Sequence, residues 1–253
     1  MPSARTRALS ICLTVTAVVA LTGCAKAATV SGPASGTPVE AIQAGLDKLS
    51  EGFDFKGQSD SATGRDLMRG TEIQAEDKLS LIDTDAAATT ATRSIRIGEE
   101  LWVQYEGIAS FPEEWGHLAT GGAAFASGAG YVGPATWLPA MLAEIGEVER
   151  IGPHRYGGTF DLGAVEWQKT GLPSYQQNLL TDTDEVAFTV QLASDGGIEH
   201  FAFTVEIGDE SNKIGYNFSE YGKAGEVAPP TGEKVTELTT ETIMEWLLGG
   251  FGE

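Results

Sequence analysis

Apolar and polar positions recur with two different periods along this chain, and the changes of period mark its elements. Val39, Ile42, Leu46, Leu49 and Phe53 stand three and four residues apart, which predicts one amphipathic helix with a single buried stripe. Thr37-Pro38-Val39-Glu40 opens it with Thr at the N-cap, Pro at the first helical position and Glu at the third, a capping box. From Phe53 to Glu106 the period shifts towards two. Thr71 to Asp83 alternates around Ile73, Leu79 and Leu81. Thr92 to Tyr105 sets Ile95, Ile97, Leu101, Val103 and Tyr105 against Arg96, Glu100 and Gln104, with Gly98-Glu99 as a turn. These segments predict meander strands with one covered face and one wet face.

Residues 111 to 133 break the pattern with Pro, many Gly and Ala, and the isolated aromatics Trp115, Phe125 and Tyr131; they predict a long mobile loop holding a helical turn. A short helix is expected from about Ala135, with Leu138, Met141, Leu142 and Ile145 on one side. Strands resume over Val148 to Leu162. Val186, Phe188, Val190 and Leu192 then alternate on one strand, and Phe201, Phe203, Val205 and Ile207 on the next. The turn Ser194-Asp195-Gly196-Gly197 joins these two as a hairpin. Lys213 to Tyr221 adds a strand, and Thr240 to Leu248 a last amphipathic helix through Ile243, Trp246 and Leu247. No long internal repeat is visible. Strands joined by tight turns imply an antiparallel sheet and an α+β domain. So many strands twist and curl around their covered face. The expected architecture is a strongly curled antiparallel sheet, a half-open β-barrel, with about three helices on its concave side. That side either packs fully or keeps a cavity.

The N-terminus changes the setting. Met1 to Arg7 carries Arg5 and Arg7 and no acid, and Ala8 to Thr22 is uncharged and mostly apolar. As a helix that run rises roughly 22 Å, short of the ~30 Å of a hydrocarbon core, which is the build of a secretory signal. It ends in Leu21-Thr22-Gly23-Cys24, which resembles the lipobox of bacterial lipoproteins. In that family the cysteine thiol receives diacylglycerol and the signal is cut just before it. The resemblance implies residues 1–23 as signal peptide, a lipid on Cys24, and attachment to the extracytoplasmic face of the cell membrane. The Ala-, Ser-, Gly- and Pro-rich residues 24–38 then read as a flexible tether, and 39–253 as one domain. Cys12, the other cysteine, lies inside the signal, so the mature chain can form no disulfide within itself. Removing residues 1–23 takes the net charge from −20 to −22. Such a surface repels nucleic acid and anionic head groups and otherwise describes a well-solvated secreted domain.

Arg155-Tyr156-Gly157-Gly158-Thr159-Phe160-Asp161-Leu162 and the Asp195-Gly196-Gly197-Ile198 turn complete a further resemblance. Together with the lipobox, the tether, the first helix and the central helix, they resemble the LolA-like, LppX/LprG-type lipoproteins of actinobacteria. The resemblance spans the mature chain through element order and two short, degenerate motifs. It implies a half-open barrel whose apolar cavity carries acyl chains, with no catalytic residues.

Chemistry-bearing motifs are sparse. His117, His154 and His200 fit no HExxH pattern, and no G-x-S-x-G elbow occurs. Glu113-Glu114-Trp115-Gly116-His117 could offer a metal carboxylate and imidazole, but Pro112 and Gly116 argue for a solvated loop. Asp182-Thr183-Asp184 opens like a calcium loop and fails at Val186 and Ala187. Gly128-Ala129-Gly130-Tyr131-Val132-Gly133 fits the dinucleotide fingerprint in letters but has no preceding strand. The Asn217-Phe218-Ser219 sequon falls inside a predicted strand, and His200 is expected to face solvent. The expectations are therefore no enzyme, no metal, no cofactor and a monomer, with any protein partner left open. Two readings stay open. One is a lipid or acyl carrier whose cavity is lined by Tyr105, Phe188, Val190, Phe201, Phe203 and Tyr216, with Phe125 and Tyr131 as a lid. The other is an anchored, non-enzymatic interaction module of the envelope in which the same residues are ordinary core.

Overall fold

In the computed structural model, which describes residues 36–60, 65–85, 90–107, 113–129, 132–166, 169–170, 180–181, 183, 185–207, 210–239 and 241–242, helix α1 spans Pro38–Asp47. The capping box forms: the Glu40 N–H donates to the Thr37 hydroxyl at 3.3 Å, and the Thr37 N–H donates to the Glu40 carboxylate at 2.6 Å. Ile42, Leu46 and Leu49 are buried, whereas Val39 is exposed. The stripe does not continue helically to Phe53. A 3-10 turn at Lys48–Glu51 and Gly52 at φ 81° redirect the chain, and Phe53 opens the first strand instead.

Strands β1 (Phe53–Asp60), β2 (Arg65–Ile73), β3 (Lys78–Asp85), β4 (Ala91–Ile97) and β5 (Glu100–Glu106) form the expected meander. Thr71 to Asp83 is not one strand, however: a 3-10 turn at Gln74–Glu76 and left-handed Asp77, φ 51°, reverse the chain within it. Asp tolerates that conformation better than most residues, because its short polar side chain hydrogen-bonds locally.

The expected mobile loop over residues 111 to 133 is corrected by two elements, β6 (Trp115–Leu118) and α2 (Gly122–Ala129). Gly122 fits there because a Cβ would lie 2.6 Å from the Glu99 carbonyl oxygen and 2.7 Å from the Leu101 side chain. The small residues that look like loop serve close packing. Helix α3 (Pro134–Ala143) leads into β7 (Ile145–Gly152) and β8 (Arg155–Phe160). There follow β9 (Leu180–Thr181), β10 (Val186–Leu192), β11 (Ile198–Ile207), β12 (Glu210–Ser219) and β13 (Val235–Leu238). The expected helix over Thr240 to Leu248 lies outside the described residues apart from positions 241–242, which are helical.

The strands make one sheet in the order β13-β6-β5-β4-β3-β2-β1-β12-β11-β10-β8-β7, with β9 beside β11. All pairings are antiparallel except that of β13 with β6, which is parallel. The fold is α+β, a mostly antiparallel sheet with helices α1, α2 and α3 among the described residues. The strong curl predicted from strand number is corrected to an open sheet: its edges, β13 and β7, are not paired to each other. The described residues all lie in one compact unit, Gly32–Glu253.

Direct cross-strand pairs put Tyr105, Thr92, Asp83, Met68, Gly57, Tyr216, Phe201, Val190 and Tyr156 in one row across nine strands. From β12 to β8 this row is apolar and buried, and it belongs to the main core beneath α1 and α3. At β3 and β4 it turns polar. A second, smaller core holds Leu101, Val103, Tyr105, Leu118 and Ala126, with Phe125 and Leu238 against it. In the β10–β11 hairpin the register shifts between Gln191↔His200 and Leu192↔Ile198, leaving Glu199 over as a bulge. Ile198 and Phe201 both reach the core because of it; without the extra residue they would face opposite ways.

Candidate functional site

Helix α1 sends Ile42 and Leu46 into the core and turns small residues, Ala41 and Ala44, towards the neighbouring strands. Gly45 brings it close: a Cβ there would lie 3.0 Å from Ile198 and 3.1 Å from the Gly196 carbonyl oxygen. Beside this contact runs a half-open groove of about 630 Å³, within the roughly 300–1,000 Å³ of small-molecule sites. Pro38, Ala41 and Ala44 form one wall, and Tyr156 of β8 and Leu192 of β10 form the other. Both wall residues on the sheet are buried and continuous with the core. Gly36, just ahead of α1, also lines it.

Four charged side chains line the groove: Glu40, Lys48, Arg150 and Asp195. Three are engaged internally. Glu40 completes the capping box. Lys48 pairs with Asp195 at 3.2 Å, and Asp195 also accepts the Gly197 N–H at 3.0 Å. The Gly197 N–H and then Lys48 hold the Asp195 carboxyl below its ordinary value. Arg150 lies with its guanidinium 5.9 Å from the centre of the Tyr156 ring, a cation–π contact.

The expected cavity residues sit elsewhere. Phe188, Val190, Phe201, Phe203 and Tyr216 are brought together, but as packed core. Phe201 lies 5.5 Å from Phe203 and 6.1 Å from Phe188, ring centre to ring centre, and Trp137 of α3 covers Tyr216 at 4.7 Å. Gly57 leaves room for the Tyr216 ring, since a Cβ there would lie 2.7 Å from it. Tyr105 and Phe125 belong to the second core. Tyr131 and Cys24 lie outside the described residues. The groove residues carried little sequence signal of their own. Ala41, Ala44 and Lys48 mark a weakly polar helix face, and Arg150 reads as one charge on an edge strand.

A second cleft of about 980 Å³ runs along β7 and β8 and is walled by Glu144, Glu147, Glu149, Asp161 and Glu185. All five are acidic, whereas the groove's four charged residues are two acids and two bases. Inside the protein, Glu72 of β2 is buried and accepts the Ala135 N–H at 2.8 Å. Burial pushes its carboxyl up to about 7, partly offset by that hydrogen bond and by Arg96. Asp83 is likewise raised to about 6 by burial and by Asp66. His117 stacks on Trp102 with ring centres 4.5 Å apart, its Nδ1 2.8 Å from Glu237 and its Nε2 3.3 Å from Glu100. The two carboxylates address different ring nitrogens, so they do not converge on one point. Among the described residues no group of three His, Cys, Asp or Glu side chains could hold a metal ion. His200 is half-buried and its Nδ1 lies 3.1 Å from the Asn217 side-chain oxygen, which places the sequon asparagine in the β11–β12 pairing.

No family model matches the chain, and no curated protein sequence matches it. Among solved structures it is similar to an uncharacterized conserved protein from Thermus thermophilus, at 9% identity and a TM-score of 0.38, over 79% of this chain and 98% of that one.

Proposed function

We propose that this chain is a lipoprotein of the extracytoplasmic membrane face, anchored through a lipid on Cys24, that binds acyl chains and catalyses no reaction. The observation that carries the reading is the groove beside α1: several hundred cubic ångströms of space walled by Pro38, Ala41, Ala44, Tyr156 and Leu192. An acyl chain needs a concave apolar surface and few polar groups. The position of α1 and α3 over one face of the open sheet supports a LolA-like frame for it. No helix among the described residues is long and apolar enough to cross a membrane, which fits attachment by lipid. The packed aromatic cluster under Trp137 favours a second reading, an anchored interaction module of the envelope without cargo.

Native mass spectrometry of the chain from residue 25 onwards, purified without detergent, separates the two. A co-purifying lipid or acyl mass is the expected result. A clean protein mass together with no uptake of a fluorescent fatty acid would leave the interaction module as the better account.

A further inference from the structure

The groove beside α1 has a charge pattern that its shape alone does not require. The chain carries 36 acidic and 16 basic residues, so a surface depression is far more often ringed by carboxylates, as the β7–β8 cleft is. Here the two carboxylates in the lining are already engaged, Glu40 by the backbone of Thr37 and Asp195 by Lys48 and Gly197. Lys48 is engaged in turn. One charge is left over, the guanidinium of Arg150, and among the described residues no carboxylate stands within ion-pair distance of it. Its contact is with the face of Tyr156. Stacking on a ring leaves the N–H donors at the guanidinium edge free, in the fork that matches a carboxylate. Tyr156 is itself part of the apolar wall. An apolar slot and an unspent arginine fork therefore meet at one residue.

We propose that the groove takes a single acyl chain ending in a carboxylate, the chain lying along Ala41, Ala44, Tyr156 and Leu192 and the carboxylate held by Arg150. This rests on the acyl-binding reading above and adds the head group to it. A neutral end would leave Arg150 without its ion pair. A polycationic ligand would meet repulsion there and find its natural partner in the acidic cleft instead.

The probes are cis-parinaric acid and its methyl ester, which share one chain and differ in head-group charge. They are titrated into the chain from residue 25 onwards, which retains the whole compact unit. The acid is expected to bind about tenfold tighter than the ester, with added salt weakening only the acid. Arg150→Gln abolishes that difference by weakening the acid and leaves the ester unchanged. Arg150→Lys restores part of it, since it keeps the charge and loses the fork. Ala44→Trp, at an exposed helix position, weakens both probes and so locates them in the groove. Equal binding of acid and ester, or an Arg150→Gln variant that keeps the full preference, would overturn the head-group assignment while acyl binding stands. Binding of neither probe to the unmodified chain would overturn both.

Discussion

The carboxylate of Glu72, on strand β2, receives the backbone N–H of Ala135 at 2.8 Å, so a strand caps a helix that has no capping side chain of its own. The N-cap of α3 is Gly133, and Pro134 has no N–H to offer, so Ala135 carries the first donor that needs a partner. Burying a carboxylate to satisfy it is costly, and the cost is visible in the raised value of Glu72.

That cost makes stability depend on pH. Glu72 ordinarily titrates at 4.5 and is held at about 7 in the folded chain, so its contribution is complete below 4.5 and is lost as pH rises through 7. The loss is about 3 kcal/mol. Asp83, raised from 3.8 to about 6, acts in the same direction over a lower window. Urea unfolding should show stability falling between these values, with Glu72→Gln flattening the Glu72 part. At about pH 8 the variant should be the more stable protein. A wild-type profile that rises over this range would contradict the assignment.

Gly133 should tolerate no side chain, because a Cβ there collides with the Glu72 carboxylate. Gly133→Ala should cost about 1–3 kcal/mol. In a Glu72→Ala background the added penalty should shrink, since the colliding group is gone. Additive penalties in the double-mutant cycle would mean that the strain comes from elsewhere.

Trp137 is buried over Tyr216 and Phe201, and Phe203 is buried against Phe160 and Phe201. Trp137→Ala and Phe203→Ala should each cost about 3–5 kcal/mol in chemical denaturation. Where the fold survives, affinity for an acyl probe should stay the same, because neither residue lines the groove. Loss of acyl binding in Phe203→Ala at full stability would move the site back into the core.

Cys24→Ser should abolish incorporation of labelled palmitate into the protein. Undiminished labelling of the serine variant would remove Cys24 as the anchor.

The alternation of Phe188, Val190, Phe201 and Phe203 identified β10 and β11 without ambiguity, and Thr37 to Glu40 marked the start of α1 within a residue. Both are local signals. β13 was not legible, because Val235–Leu238 is short and becomes a strand by lying parallel to β6, far away in sequence. Helix α2 was hidden for a related reason: Gly122 and its Ala-rich neighbours were chosen by the strand they press on, not by helical periodicity. The inward-facing aromatics were legible as buried, but burial does not tell a filled core from a lined cavity. The groove depends on which of its four charges pair with one another, and no spacing in the chain encodes that.

The sheet is two meanders, β1 to β5 with β6 and β7 to β12, each built mostly from neighbours along the chain, and they join where β1 lies beside β12. Asp54 there pairs with Ser219, so almost the whole domain must be in hand before the centre of the sheet can zip. Local pairings close quickly, and one between distant segments waits for a long loop to find its ends. Folding should therefore pause with two preformed halves and their apolar faces uncovered, an interval in which the chain is most in need of a chaperone.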